Sequence, residues 1–254
     1  MDPKIFNLIC YSWIFLACCV FVIMLFVKAP FGRHTSENWG ISINNKLGWI
    51  IMESPSLFIM LYFLFFGQKS FDSYVWILFL IWIIHYTNRT FIYPIKIKST
   101  PKKMPFFITC NAIFFNLMNA GLNGYYLSYL ADSSNYNSQW LYSFSFIFGG
   151  FLFILGMYIN IKSDNILINL RKPGETGYKI PQKFLFKYVS SSNLFGEIIE
   201  WIGFAIMAQN LPAYTFMIWC IANLVPRAIN HHNWYLSQFA DYPKQRKIIF
   251  PFIY

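Results

Sequence analysis

Seven apolar segments, each about as long as a membrane-spanning helix, limit this chain to few possible folds. They lie at residues 5–27, 48–66, 74–93, 105–130, 140–159, 194–211 and 213–235. About 20 residues of helix cross the hydrocarbon core of a bilayer, so seven such helices leave little of the 254 residues for a soluble domain. Only 12% of the residues are charged, about half the fraction in soluble domains. The sequence therefore predicts an all-α integral membrane protein with one domain over residues 1–254.

Basic residues are distributed unevenly among the loops between these segments. Lys4 and Lys69 alone occupy the N-terminus and the even-numbered loops. The remaining eighteen of the 20 lysines and arginines lie in the odd-numbered loops, at the end of the third segment, or from Arg227 onward. Because cytoplasmic loops collect Lys and Arg, this skew predicts seven transmembrane helices with a cytoplasmic C-terminus. We expect a multi-pass protein of the bacterial cytoplasmic membrane, or of the endoplasmic reticulum membrane in a eukaryote.

The distribution of charge and the spacing of the cysteines argue against two classes of ligand, nucleic acids and metal ions. A net charge of +10 would favour nucleic-acid binding in a soluble protein, but here the positive-inside rule accounts for it. The five cysteines lie in apolar runs without metal-ligand spacing, and the chain has no H-E-x-x-H motif. We therefore expect no nucleic-acid partner and no metal site.

Ionisable side chains inside the apolar segments indicate a polar pocket. At mid-bilayer each costs about 3 kcal/mol on insertion scales, so such residues usually line a cavity or pair with one another. Eight of them lie at similar depth on four predicted helices: Glu53, His85, Arg89, Glu197, Glu200, Arg227, His231 and His232. The alternative is a set of independent helix-end residues that reach for the interface. Their recurrence on four helices favours a seven-transmembrane helix bundle with a cofactor and substrate cavity open to the cytoplasmic side.

Four-residue spacing groups further polar side chains on common helix faces. These faces hold Asn160 and Asp164 where the fifth helix ends, Asn193, Glu197 and Glu200 on the sixth helix, and Asn223, Arg227, His231 and Tyr235 on the seventh. A stripe of cations, amides and acids suits a ligand with phosphate, ribose and amide groups. A polar seam between packed helices would show the same pattern.

The fifth loop offers a cationic turn for a phosphate. Arg171 and Lys172 stand directly before Pro173 and Gly174, and guanidinium groups bind phosphates well. An ordinary positive-inside loop has the same composition. The chain has no G-x-G-x-x-G after a strand and no P-loop, so a dinucleotide would have to bind the helix bundle itself.

Several motifs in the second half of the chain are shared with a known family. They are NIKSD at 160–164, LRKPGE at 170–175, NLFGEIIEWIG at 193–203 and DYPK at 241–244, followed by Arg246 and Lys247. Earlier segments are GRHT at 32–35, ESPS at 53–56 and HYTNRTF at 85–91. Together they resemble the steroid 5α-reductase (3-oxo-5α-steroid 4-dehydrogenase) family.

The resemblance implies a function and a set of roles. The chain would use NADPH to reduce the Δ4 double bond of a 3-keto-Δ4 steroid by hydride transfer to C5, with Glu53 and Tyr86 as catalytic residues on the 3-keto oxygen. The family positions that bind the cofactor correspond to Asn160, Asp164, Arg171, Asn193, Glu197, Arg227, His231 and Tyr235. Residues 1–130 would then be mainly substrate-side helices and residues 140–254 mainly NADPH-binding. We expect a monomer among membrane lipids, with a steroid that arrives from the bilayer.

Three other functions fit parts of the pattern. An enoyl-CoA reductase of the same superfamily would share the cofactor half and differ in the substrate half. A membrane S-adenosylmethionine-dependent methyltransferase would not need Glu53 and Tyr86 at matched depth. A transporter should place acids across the whole bilayer, whereas these cluster in one half.

Overall fold

A computed structural model describes residues 1–28, 40–68, 74–97, 103–172, 175 and 177–253. The described residues are mainly helical, and helices lie at each of the seven predicted segments. The α-helices are α1 (Pro3–Phe26), α2 (Asn45–Phe66), α3 (Trp76–Thr87), α4 (Tyr93–Lys96), α5 (Phe106–Tyr125), α6 (Ser138–Leu141), α7 (Phe144–Ile168), α8 (Ser192–Ala208) and α9 (Leu211–Gln238). Short 3₁₀ turns lie at Ser133–Tyr136 and Phe184–Lys187. The prediction of a mainly helical chain is confirmed.

Two helices continue through π-helical turns that the sequence did not predict. The turn Asn88–Ile92 joins α3 to α4 in one rod, and the turn Tyr126–Leu130 extends α5. A π turn adds a residue to the helical repeat and so changes which side chains share a face; such turns are frequent at functional sites. Arg89 lies in the first of them.

A two-stranded antiparallel ribbon corrects the prediction of an all-α chain. The strands β1 (Ser42–Asn44) and β2 (Lys103–Pro105) pair so that Ile43 faces Met104. Each strand is three residues long and leads directly into a helix, β1 into α2 and β2 into α5. Segments so short carry no recognisable period, so the ribbon could not be predicted from the sequence.

Polar side chains fix where several helices begin. Asn44 accepts from the backbone N–H groups of Lys46 and Leu47 ahead of α2, and Ser143 accepts from Phe146 ahead of α7. The predicted break between the sixth and seventh segments is confirmed. There Gln209 takes a left-handed conformation with φ 46°, and the Asn210 side chain caps α9 by accepting from Ala213.

Helix α7 extends well beyond the predicted segment. It was expected to end near residue 159, but it continues to Ile168. Asn160 and Asp164, predicted to lie where this helix ends, therefore lie within it, and both side chains are buried.

Glycines bring α7 and α8 into backbone contact. A Cβ added at Gly149 would lie 2.7 Å from the carbonyl oxygen of Gly203, and one at Gly156 would lie 2.6 Å from the carbonyl oxygen of Gly196. Small residues at such spacing let membrane helices pack closely. The contact sets the polar residues of α7 directly against those of α8.

Three described helices are long and apolar enough to span a membrane: Pro3–Phe26, Asn45–Phe66 and Phe144–Ile168. Large apolar side chains on these helices face outward; Phe15 is 71% exposed and Phe65 is 72% exposed. Water would be a poor solvent for such faces, whereas lipid is a suitable one. The chain is therefore a membrane protein.

The glycine contact can be tested with neighbouring glycines of α7. We expect Gly156→Ala to destabilise the protein by about 1–3 kcal/mol, because the added methyl would overlap the α8 backbone. Gly150→Ala is the control, since a Cβ there meets only the Met207 sulfur at 3.6 Å. The measurement is the unfolding midpoint in detergent. Equal midpoints for the two variants would contradict the close packing of α7 on α8.

Candidate functional site

One cavity of about 510 Å³ brings together residues from both halves of the chain. Its apolar end is lined from α1, α5 and α9, for example by Trp13, Phe115 and Trp219. Its polar end is formed by side chains from α2, the α3–α4 rod, α8 and α9, namely Glu53, His85, Tyr86, Arg89, Glu197, Asn223 and Arg227. The prediction that ionisable groups from four helices meet in one pocket is confirmed for these residues.

Arg89 is the centre of the polar end. Its Nε lies 3.8 Å from Glu53 Oε1, its Nη1 lies 3.5 Å from Asp164 Oδ2, and its Nη2 lies 3.6 Å from Glu197 Oε2. The guanidinium also lies over the rings of Trp49 and Tyr93, with 4.7 and 5.4 Å to the ring centroids. One cation thus serves carboxylates from three helices while aromatic rings cover it.

Glu53 is fixed from its other side by an asparagine of α5. Its Oε2 accepts from Asn116 Nδ2 at 3.3 Å, and the same amide group donates to the Met52 carbonyl at 2.6 Å. The Asn116 oxygen in turn accepts from the Ser56 hydroxyl at 2.9 Å. A continuous polar chain therefore runs from Ser56 through Asn116 to Glu53.

Tyr86 is held by a stack of aromatic rings. Its ring stacks on Trp82 with centroids 5.3 Å apart, and Trp201 of α8 lies 6.0 Å away. Tyr86 is only 4% exposed, yet it lines the cavity. Contact with both tryptophan rings leaves the Tyr86 ring little freedom to turn away from the cavity.

His85 and Glu200 form a buried pair behind the polar end. The Nδ1 atom of His85 lies 2.7 Å from Glu200 Oε1, and Glu200 is fully buried. Among the described residues the second carboxyl oxygen of Glu200 has no hydrogen-bond partner. The pair joins α3 to α8, and breaking a buried pair of this kind is costly.

Four of the eight predicted cofactor residues lie together between α7 and α8. Asn193 donates to Asp164 Oδ1 at 3.0 Å, while Asn160 donates to the Asn193 carbonyl at 3.0 Å and to Glu197 Oε2 at 3.4 Å. Asp164 and Glu197 both reach Arg89, so this group is continuous with the cavity. Arg227, a fifth predicted residue, lines the cavity itself and donates to Asn223 at 3.4 Å.

With this geometry established, comparison with known proteins identifies the family. A family model described as 3-oxo-5-alpha-steroid 4-dehydrogenase matches residues 102–254. The chain belongs to this family. A steroid 5-alpha-reductase DET2 of Solanum lycopersicum is 38% identical over 257 residues, which cover 100% of this chain and 98% of the relative. The 3-oxo-5-alpha-steroid 4-dehydrogenase 1 proteins of Homo sapiens (36% identity, 100% of this chain, 97% of the relative) and Mus musculus (39%, 94% and 93%) are similar along almost their whole length.

Family membership confirms several predictions from the sequence. The family itself was predicted from its motifs, and so was an oxidoreductase of steroid metabolism. An oxidoreductase of this family implies a nicotinamide cofactor. The residue roles that the resemblance implied stay predictions, and the motif at 32–35 lies outside the described residues.

Of the eight predicted cofactor residues, Glu197 and Arg227 line the cavity and the other six do not. Arg171 lies in the fifth loop, where its Nη1 donates to the Gly177 carbonyl at 3.2 Å. Tyr235 is buried and stacks on Tyr242, with centroids 5.1 Å apart and an interplanar angle of 7°. His231 is half-buried on α9, one turn beyond Arg227. Residues 173, 174 and 176 of the predicted phosphate turn lie outside the described residues.

Sequence reasoning missed two residues that organise the site. Arg89 was recognised as a polar residue in an apolar segment but was given no role, and Asn116 was not noticed. A signal for Asn116 does exist: Asn116, Asn119 and Asn123 recur at helical spacing within an apolar segment, and all three are buried. Within the part of the chain that the structure describes, no group of three or more His, Cys, Asp or Glu could hold a metal ion.

The role of Arg89 can be tested by a double-mutant cycle. We expect Arg89→Gln to destabilise the protein by about 3–5 kcal/mol, because three largely buried carboxyl groups lose their common cation. Adding Glu197→Gln should recover part of this loss, since one of those negative charges is then absent. Lys96→Gln, which removes an exposed cation from the same rod, is the control. Additive effects of the two substitutions, or equal loss in the control, would contradict the shared-cation arrangement.

Proposed function

We propose that the chain is an NADPH-dependent reductase that converts 3-keto-Δ4 steroids to 5α-3-keto steroids. The observation that carries the proposal is the cavity with Glu53 and Tyr86 at its polar end and aromatic side chains at its apolar end. Its volume of about 510 Å³ lies within the usual range for small-molecule sites. The relatives' names describe the same reaction.

The two proposed catalytic residues act on the oxygen at C3. A bound reduced nicotinamide would supply hydride to C5 of the steroid. The resulting enolate would carry negative charge on the C3 oxygen, and addition of a proton at C4 would complete the saturated ketone. Donors aimed at the position where charge develops often supply the largest catalytic term. The Tyr86 hydroxyl is one such donor, and the Glu53 carboxyl is the other when it carries a proton. A protonated Glu53 suits this site, because one guanidinium there serves three carboxyl groups and buried excess charge is costly.

Asn116, itself bonded to Ser56, orients the Glu53 donor. Asn116 uses both its amide hydrogens and its oxygen, on the Met52 carbonyl, Glu53 and Ser56. Fixed donors need no reorganisation when the transition state forms. The Asn116 side chain therefore sets the direction of the Glu53 carboxyl before any substrate arrives.

The proposed cofactor residues offer the groups that a dinucleotide requires. Asn160, Asn193, Asp164 and Glu197 present amides and carboxylates that suit a carboxamide and ribose hydroxyls, and Arg227 supplies a cation for phosphate. His231 and Tyr235 continue the same stripe along α9. Arg171 and Lys172 would bind the 2′-phosphate that distinguishes NADPH from NADH. Residues 140–254 would thus hold mainly the cofactor, and residues 1–130 mainly the steroid.

The membrane arrangement completes the proposal. All seven helical segments would cross the bilayer, with the polar end of the cavity open to the cytoplasmic side and the C-terminus in the cytoplasm. The steroid would enter from the bilayer, since α1 and α5 supply the apolar end of the cavity. The protein would work as a monomer in the endoplasmic reticulum or the bacterial cytoplasmic membrane.

The reaction centre is tested with Glu53→Gln and Tyr86→Phe. Losing one such donor typically costs on the order of a hundredfold or more in rate, so we expect severe loss of steroid reduction with NADPH binding nearly intact. The measurement is single-turnover oxidation of NADPH on addition of a 3-keto-Δ4 steroid, beside a cofactor titration. Tyr62→Phe, at an exposed tyrosine of α2, is the control. Turnover like that of the unmodified protein in both variants would remove this assignment.

The topology is tested with reporters. A reporter fused after Tyr254 should be cytoplasmic, and one inserted near Asp132 should be on the opposite side, because the basic loops fix the orientation. Accessibility to a membrane-impermeant label reports the side. Both reporters on one face would be incompatible with seven spans.

A further inference from the structure

A second groove lies on the face of α7 that points away from the candidate site. It encloses about 830 Å³ between α7 and residues 180–183. Two of its α7 residues, Tyr158 and Lys162, stand roughly half a helical turn from Asn160. None of the residues proposed for the reductase site lines it. The groove is therefore separate from the site already described.

Contacts with neighbouring side chains hold the cationic end of this groove in place. Lys162 Nζ donates to the Tyr158 hydroxyl at 2.7 Å and lies 4.4 Å from the ring centroid of Phe184. Phe184 has φ 58°, a left-handed conformation that a bulky residue rarely adopts unless the surrounding structure imposes it. Lys183, the residue before it, is a second cation in the groove.

A buried arginine fixes the far wall. Arg246 is 5% exposed, and its Nη1 donates to the Pro181 carbonyl at 2.8 Å. The guanidinium also lies over the ring of Tyr242. The segment that carries Lys183 is thus tied to the C-terminal part of the chain, which keeps it at a set distance from α7.

An apolar strip leads along α7 to this cationic end. Ile147, Phe151, Ile154 and Tyr158 follow one another at spacings of three and four residues and share one helix face with Lys162. Their side chains are between 53% and 70% exposed. The strip belongs to a helix that is long and apolar enough to span a membrane. A cation at the end of an exposed apolar strip matches a ligand with a charged head and a hydrocarbon tail.

We infer that the groove binds the phosphate headgroup of an anionic membrane phospholipid. Lys162 and Lys183 contact the phosphate, the amides of Asn165 and Asn169 face the rest of the headgroup, and an acyl chain lies along the apolar strip. The groove adjoins the basic fifth loop, and the cytoplasmic leaflet, on which the proposed topology places that loop, carries anionic lipids. The inference depends on the membrane setting and not on the proposed reaction.

The experiment measures lipid retention by the purified full chain. Delipidated protein in detergent is titrated with phosphatidylglycerol or with phosphatidylcholine of identical acyl chains, and bound lipid is counted by native mass spectrometry. We expect tighter binding of phosphatidylglycerol, weakened about fivefold by each of Lys162→Gln and Lys183→Gln, since a lysine near anionic lipid contributes about fivefold in affinity. Lys187→Gln, at an exposed lysine of the same segment, is the control and should bind like the unmodified protein.

Two further measurements distinguish the source of the phosphate. Inorganic phosphate and glycerol phosphate should displace the lipid poorly, because they lack the acyl chain that the strip holds. Ile154→Asn should weaken lipid binding while leaving both lysines in place. Equal retention by Lys183→Gln and the control, or full displacement by inorganic phosphate at the same concentration, would overturn the inference. Lys183 lies outside the helices, so its variant tests the groove even if changes in α7 disturb folding.

Discussion

The sharing of Arg89 among three carboxylates is the constraint on which the rest of the site depends. Glu53, Asp164 and Glu197 come from α2, α7 and α8, so a single guanidinium joins three helices to the α3–α4 rod. Isolated charges are expensive in a bilayer, and a cation that several carboxyl groups share lowers that cost. The same array needs a rigid frame, because ionic contacts in a poorly hydrated site weaken quickly when their geometry is lost. The rings of Trp49 and Tyr93 supply part of that frame.

The glycine contact between α7 and α8 supplies another part. Because the two helices touch through their backbones, the short side chain of Asn160 can reach the Asn193 carbonyl, and Asn193 can reach Asp164. Larger residues at Gly156 or Gly196 would move the helices apart and break both bonds. Packing and electrostatics are therefore coupled here: small residues have no charge, but they determine which charged groups can meet.

The sequence predicted the pocket but not the ion pairs and hydrogen bonds inside it. Particular residues show the physical reasons. The sequence alone predicted that Glu53, His85, Glu197 and Arg227 meet, because alternating helices return charges of equal depth to one side of a bilayer. The partners of Arg89 could not be predicted, because a π turn changes the phase of its helix, whereas periodicity read from a single sequence assumes a regular helix. Asn116 was missed because an uncharged amide in an apolar segment resembles a tolerated polar residue until its hydrogen bonds are seen. The length of α7 was underestimated because polarity after residue 159 resembles a loop, whereas Asn160 and Asp164 bond to residues of α8 within the helix.

Helix α7 has two polar faces with different neighbours. Its inner face carries Asn160 and Asp164 into the hydrogen-bonded group beside the cavity, and its outer face carries Lys162 toward the lipid groove. Side chains two residues apart on a helix point in nearly opposite directions, so both faces can hold polar groups without sharing them. A polar residue on a membrane helix is therefore not sufficient to locate an active site. The helix face on which the residue lies must also be known. In the motif NIKSD, Asn160 and Asp164 lie on the inner face of α7, whereas Lys162 between them lies on the outer face.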